Sequence, residues 1–365
     1  MTAELRDLVR RFVTREVLPY LDGWERAGRV PRELHRKAAK IGLLGVGYAE
    51  EVGGSGGDLR DTVTVTEEII GSGGSSGLCA ALFTHGIALP HLIATGDPAL
   101  IDRYARPTLA GEKIGSLAVT EPDGGSDVAA IRTRARRDGD HYVVNGAKTY
   151  ITSGARADFV TTAARLDDGQ IALLVVDTDA PGFSVTRTLD KLGWHCSDTA
   201  ELSYVDVRVP ATHHVGGFGE IMKHFGNERV MLAVHAYAIA QRCLDLTLDW
   251  CRQRETFGRP LSTRQVVRHR LAEMARVTDV AREYVRGVAT RVANGEPLVT
   301  EVAMAKNTAV AACDWVVDQA VQLHGGYGYL RDAEVERHYR DARILGIGGG
   351  TTEIMNEIIA KQLGV

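Results

Sequence analysis

Six stretches of this 365-residue chain combine residue types that could do chemistry. GSLAVTEPDGGSDVAAIRTRA (115–135) starts like a strand, then packs Thr120, a proline, two glycines and Ser126 into one tight loop. Such a loop offers backbone N–H groups and two hydroxyls to a polar ligand. KTYITSG (148–154) sets an aromatic beside a hydroxyl, and FGNERVMLAV (225–234) places Glu228 and Arg229 in a nearly apolar helical run. Acids and arginines are rarely fully buried unless paired. RQRETFGRPLSTRQ (252–265) leaves that helix heavily charged, and QLHGGYGY (322–329) ends another with glycines. ILGIGGGTTEIM (344–355) carries three consecutive glycines. They are costly in backbone entropy, so they imply a phosphate cradle, a ligand against bare backbone, or a side chain that is missing. Each stretch has a plain alternative: a strand-end turn with an Asp cap, an exposed first helical turn with a favourably placed Glu, a solvated loop, a glycine C-cap.

Several functions are disfavoured at once. The chain has no GxGxxG, no Gly-Lys dipeptide to complete a phosphate-binding P-loop, no HExxH and no His/Cys cluster with zinc spacing. A formal net charge of −4 gives no case for nucleic acid. No apolar run is read as reaching the ~18–20 residues of a membrane helix. The amino terminus alternates charge with apolar residues and lacks the apolar core of a signal peptide. Five scattered cysteines, never CxxC, imply free thiols and a cytoplasmic location.

The elements that must position these stretches follow from the periodicity. Residues 1–114 read as an N-terminal α-helical domain, broken by the Gly-rich turns at 50–58 and 71–77. Residues 115–215 change to period two and read as a middle antiparallel β domain, with hairpins expected at Asn145-Gly146 and Asp168-Gly169. Residues 216–365 return to long helices closed by glycines, a C-terminal four-helix bundle domain. The fold class is therefore α+β, in the order α, β, α bundle.

In that order and spacing, AVTEPDGGSD, NGAKTYITSGA, GWHCSDTAELSYVDVRVP, RETFGRPLSTRQ, QLHGGYGY and RDARILGIGGGTTEIM resemble the acyl-CoA dehydrogenase family over essentially the whole chain, about residues 3 to 363. The resemblance implies bound FAD. Leu117, Val119, Thr120, Gly125 and Ser126 would line the flavin, with Tyr150 at its face and Ile151 and Thr152 following. A neighbouring subunit would supply Arg254, Phe257, Gln265, Gln322 and Gly326, while Thr351 and Glu353 would reach the adenosine diphosphate portion. The shared site implies a homodimer at least, and the family is commonly tetrameric. An acyl-CoA substrate, with Ser126, Arg229, Gly349 and Gly350 near it, and an electron-transferring flavoprotein as acceptor are implied as well.

The family's chemistry needs a carboxylate to take a proton alpha to the thioester, and burial can raise its pKa toward working pH. In most relatives that base is the Glu of a YEGT sequence. The corresponding residues here are GGGT, so Gly349 stands in its place. Relatives of the isovaleryl and long-chain types carry the base on the first bundle helix, immediately before an Arg, and GNERV matches that pattern. Glu228 is therefore the expected base and Gly349 the vacated seat. Gly348 and Gly349 together would leave a wider cavity, suited to branched or longer acyl groups. Two rivals stay open. One is a flavin monooxygenase or nitroalkane-type oxidase on the same fold. The other is a non-catalytic subunit of a mixed oligomer, in which GGGT marks decay.

Overall fold

The computed structural model describes residues 2–365. Helices come first: α1 Thr2–Phe12, α2 Leu21–Ala27, α3 Arg32–Lys40, α4 Leu59–Gly71, α5 Ser76–Leu82, α6 His85–Ala94, and two short pieces, α7 Pro98–Leu100 and α8 Arg106–Leu109. The Gly-rich turn before α4 ends at Asp58, whose carboxylate accepts from Arg60 N at 2.8 Å while Asp61 accepts from Asp58 N at 3.1 Å. This reciprocal capping starts the helix. By length and composition alone Ser76–Ala94 passes as a membrane span, against the sequence expectation, but 61% of that stretch is buried inside the fold. It is two helices, parted at Phe83–Thr84, and serves as core.

The middle of the chain forms an eight-stranded sheet from β1 Gly115–Ala118, β2 Arg134–Asp138, β3 His141–Thr152, β4 Phe159–Leu166, β5 Ile171–Asp177, β6 Phe183–Thr188, β7 Thr199–Pro210 and β8 His214–Gly217. The order is β6-β7-β3-β2-β4-β5-β8, with β1 also on β4. Two expectations need correction. The sheet is mixed, because β1 and β2 both pair parallel with β4, one at each end of it. Asn145-Gly146 is not a hairpin turn but a bulge within β3. The Asn145 side chain is taken by β7, accepting from Asp206 N and donating to Asp206 Oδ1, both at 2.9 Å. The turn between β2 and β3 falls instead at Gly139, and the expected turn at Asp168-Gly169 does join β4 to β5. The strand β5 is buried along nearly its whole length. One face packs Leu173 and Val175 with Leu89, Leu92 and Tyr104, and the other packs Leu174 with Val160, Leu202 and Tyr204.

β8 leads directly into α9 Phe218–Gln253, followed by the small hairpin β9 Glu255–Thr256 and β10 Arg259–Pro260, then α10 Gln265–Ala293, α11 Val299–His324, α12 Glu334–Ala342 and α13 Thr352–Leu363. Of the expected four long helices three are found, α9, α10 and α11, followed by two short ones, α12 of 9 residues and α13 of 12. The N-terminal helix α4 covers part of α9 instead. Its Glu67 accepts from Arg6 at 2.8 Å, Tyr237 at 2.5 Å and Arg286 at 2.7 Å, joining α1, α4, α9 and α10 at one half-buried carboxylate.

Candidate active site

Glu228 and the glycine triplet, 120 residues apart, meet in space. Because α9 begins at Phe218, Glu228 lies in its third turn, so the reading of an exposed first-turn Glu does not hold. Gly349 and Gly350 have φ of 63° and 98°, a region that strongly favours glycine. A Cβ added to Gly349 would lie 2.5 Å from Leu232 Cδ1 and 3.4 Å from Glu228 Oε1. The seat is therefore filled from α9 rather than empty. Room exists at Gly348, where a Cβ would meet nothing closer than 3.6 Å.

Two cations hold this loop by its carbonyls. Arg229 Nε donates to Gly349 O at 3.1 Å, and Lys306 Nζ, on α11, donates to Gly348 O at 2.6 Å and also to Gly350 O. Lys306 is 1% exposed and Arg229 7%, so two charges have been brought inside against a large desolvation cost. Among the described residues the amides of Gly349 and Gly350 have no backbone acceptor. Thr351 closes the loop by accepting from Ile354 N at 3.2 Å, as the N-cap of α13, and Glu353 stands exposed in the first turn of that helix. Burial raises the Glu228 pKa above the ordinary carboxylate value, and the positive charges of Lys306 and Arg229 oppose that rise. Burial likewise lowers Lys306 to about 8, with Glu228 opposing.

A second group of expected residues surrounds the end of β1. Leu117 and Val119 are buried, Thr120 half-buried, and Gly125 and Ser126 exposed. The backbone joins this loop to β3, with Thr149 N donating to Thr120 O at 3.0 Å and Ser116 Oγ to Thr152 O at 2.6 Å. Ile151 is buried below and Thr152 half-buried, while Tyr150 is 69% exposed at φ 59°. A flat aromatic thus projects beside a turn rich in free backbone.

The remaining expected residues lie elsewhere. Arg254, Phe257 and Gln265 are exposed on and beside the hairpin that ends α9, and Gln322 and Gly326 are exposed at the end of α11. Trp250 links the two segments, donating to Leu323 O at 3.2 Å and stacking on Tyr327 at 5.1 Å. From Glu228 to Arg254 is 26 residues of helix, about 39 Å at 1.5 Å per residue. One chain does not bring this patch to the Glu228 site.

Three functional-looking residues were not singled out from the sequence. Lys306 was one, although a lone lysine in AMAKN carries the same signal that marked Glu228 in its apolar helix. The others are Glu121 and Lys148, paired at 2.8 Å with side chains 7% and 0% exposed. Glu121 also accepts from Arg132 N at 2.6 Å and Thr133 N at 2.8 Å, which fixes both ends of the 120–133 loop. These donors hold its pKa down to about 2 in spite of burial.

Comparison with known proteins agrees with the order of the helical and sheet parts. The acyl-CoA dehydrogenase N-terminal, middle and C-terminal domains match residues 2–112, 116–207 and 216–364. A probable acyl-CoA dehydrogenase from Mycobacterium abscessus is 63% identical, with a TM-score of 0.98 over 99% of this chain and 98% of that one. The mitochondrial long-chain specific acyl-CoA dehydrogenase of Rattus norvegicus is 37% identical over 98% of this chain and 85% of its own length. A glutaryl-CoA dehydrogenase from Mycobacterium smegmatis, solved in complex with FADH2, is 26% identical, with a TM-score of 0.91 over 99% and 94% of the two chains. The order of helical, sheet and helical parts thus recurs in a set of known enzymes, and the chain belongs to the acyl-CoA dehydrogenase family of FAD-dependent oxidoreductases that act on CH–CH bonds.

Proposed function

We propose that Glu228 is the base that removes the α-proton of an acyl-CoA thioester, giving the trans-2-enoyl product. The observation that carries this reading is the fit between Glu228 and Gly349: the carboxylate on α9 and Leu232 beside it occupy the space a side chain at 349 would need. Burial favours a base of raised pKa, and Lys306 and Arg229 keep it ionisable. The proton goes to a Glu228 carboxylate oxygen. The free amides of Gly349 and Gly350 can donate to the thioester oxygen as charge develops there. Arg229, fixed on Gly349 O, holds the loop in register with the base.

The residues present suit FAD. Tyr150 offers an exposed ring at a strained φ, and a Cβ on Gly124 would have no neighbour within 4 Å, so backbone there is open to a ligand. Leu117, Val119, Thr120, Gly125, Ser126, Tyr150, Ile151 and Thr152 would hold the flavin part, and Thr351 and Glu353 the adenosine diphosphate part; Ser126 also borders the substrate. When bound, FAD accepts the hydride of the β-carbon. Arg254, Phe257, Gln265, Gln322 and Gly326 would reach it from a second copy of the chain. Phe257, 98% exposed, is otherwise a large apolar ring left in water. This makes the working unit a dimer at least, with a tetramer as the fuller assembly.

We further infer an electron-transferring flavoprotein as acceptor, a cytoplasmic location for the five buried free thiols, and a branched or longer acyl group. Extra width comes from Gly348 alone, since Leu232 fills the place at 349. Anaerobic titration with a panel of acyl-CoAs tests the reading. Bleaching of oxidised flavin supports the dehydrogenase, an oxygen-dependent reaction of reduced flavin would favour the monooxygenase or oxidase, and a colourless protein would favour a non-catalytic subunit.

A further inference from the structure

The three carbonyls of the 348–350 loop are gripped alternately from two helices. Lys306 Nζ on α11 donates to Gly348 O at 2.6 Å and to Gly350 O, and between them Arg229 Nε on α9 donates to Gly349 O at 3.1 Å. A trans peptide is planar, with its C=O and N–H on opposite edges, so each grip on a carbonyl also sets an amide. The peptide joining Gly348 to Gly349 turns its oxygen to Lys306 and the N–H of Gly349 away from it. The next peptide turns Gly349 O to Arg229 and the N–H of Gly350 away from Arg229. Neither N–H has an acceptor among the described residues, and both glycines keep part of their surface.

The grips matter because the loop cannot set its own peptide planes. Glycine visits both signs of φ with equal ease, so three in a row leave the amides free to swing unless something outside the loop holds them. A neutral donor could do that. The donor here is an ammonium that is 1% exposed, and bringing such a charge inside costs several kcal/mol. Burial lowers its pKa to about 8, against the opposing charge of Glu228, so it stays largely protonated at neutral pH. A cation on a carbonyl oxygen does more than hold it. Charge-assisted bonds are stronger than neutral ones, and bonds in a chain polarise one another. Electron density drawn toward Gly348 O leaves the Gly349 N–H, on the far edge of the same peptide, a better donor.

We propose that Lys306 is a positioning residue for the thioester: through the peptide joining Gly348 to Gly349 it aims and polarises the Gly349 N–H at the thioester oxygen, where negative charge gathers as the α-proton leaves. This rests on the reading of Glu228 as base and of the loop amides as donors to that oxygen. Lys306 itself touches neither substrate nor base in this role, and no bond to it forms or breaks.

The test reads the thioester C=O stretch of a 2-enoyl-CoA, isotopically labelled at the thioester carbon, by infrared difference spectroscopy on the FAD-loaded enzyme. A stronger hydrogen bond to the oxygen lowers that frequency, so the unaltered enzyme should lower it relative to the free thioester. Lys306→Met, of similar length but with neither donor nor charge, should lose most of the lowering. Its kcat should fall about 10- to 100-fold with KM little changed, less than the 10²–10³ that follows outright removal of an oxyanion donor. Lys306→Gln, neutral but still a donor, should lie between, and it decides alone if Lys306→Met does not fold with FAD. A stretch in Lys306→Gln or in folded Lys306→Met equal to that of the unaltered enzyme would overturn the proposal. The readings it rests on fail differently. No lowering in the unaltered enzyme would remove the loop amides as donors, and undiminished turnover in Glu228→Gln would remove the base while leaving the stretch to report on Lys306.

Discussion

Glu228 Oε1 lies 3.4 Å from where a Cβ on Gly349 would be, and Leu232 Cδ1 lies only 2.5 Å from it. Two positions 121 residues apart thus share one volume, and only one can carry the acid. Moving the acid with Glu228→Gly and Gly349→Glu together should give an inactive enzyme. The new side chain would need an unfavourable φ and would strike Leu232, at about 1–3 kcal/mol for the backbone alone. Trimming Leu232→Ala in the same background should recover measurable flavin bleaching. Near-normal turnover without that third change would show the seat to be open and sink the volume argument.

Glu228→Gln should lower dehydrogenation by about 10² to 10⁴, the usual worth of a general base. FAD content and the absorption spectrum should stay as they are, because the carboxylate is replaced by an amide of the same size. Stopped-flow bleaching with an acyl-CoA measures the first effect; cofactor-to-protein absorbance measures the second.

The pH profile should report the base. Activity requires Glu228 ionised, so it rises with pH through a value above the ordinary carboxylate range. Lys306→Met removes a positive charge that favours the ionised form, so the acid limb should move to higher pH. It also strips donors from Gly348 O and Gly350 O, costing about 2 kcal/mol of stability. A limb that stays in place in Lys306→Met would argue that the charge does not reach Glu228.

Stability in acid should depend on Glu121. Its folded pKa, about 2, is below its ordinary 4.5. Its contribution is therefore full above about 4.5 and is lost as pH falls from there through 2. Glu121→Gln should flatten that part of the acid denaturation curve. At neutral pH it should cost about 3–5 kcal/mol, because buried Lys148, already lowered to about 8 by burial, loses the partner that opposes that fall. Thermal melts at pH 7 and at pH 3.5, a working pH of about that value chosen from the same shift, compare the two effects.

Phe257→Ser should leave the fold of a single chain intact, since 98% of the ring already faces solvent. FAD retention on dilution and the oligomer's elution volume should both suffer if the ring belongs to a second copy's cofactor site. Unchanged values for both would remove Phe257 from that role.

How far these features could be read in advance depended on how local their cause was. Glu228 drew notice as a carboxylate beside an arginine in FGNERVMLAV, but its expected role came from the family resemblance of GNERV; the glycine triplet was legible because its entropy cost demands a reason. Asn145-Gly146 misled because the dipeptide's turn preference is local, whereas the partner that claims Asn145, Asp206, lies 61 residues on. The parallel pairing of β1 and β2 with β4 was hidden likewise, since alternation shows which residues face the core and not the direction of the neighbouring strand. Lys306 was visible as a residue, but its meaning depends on how α11 lies against the 348–350 loop, which no periodicity records.

The carboxylate of Glu67 bears on how the chain comes to fold. Its partners Arg6, Tyr237 and Arg286 are 61, 170 and 219 residues away. As the chain emerges from the ribosome, Arg6 is the one of these partners made together with α4, and the Tyr237 hydroxyl and the Arg286 charge arrive only with α9 and α10. The leading helices are thus not a self-sufficient folding unit. A fragment ending after the sheet should expose the α9-facing side of α4 and associate with itself, while the later helices, once made, complete both regions together.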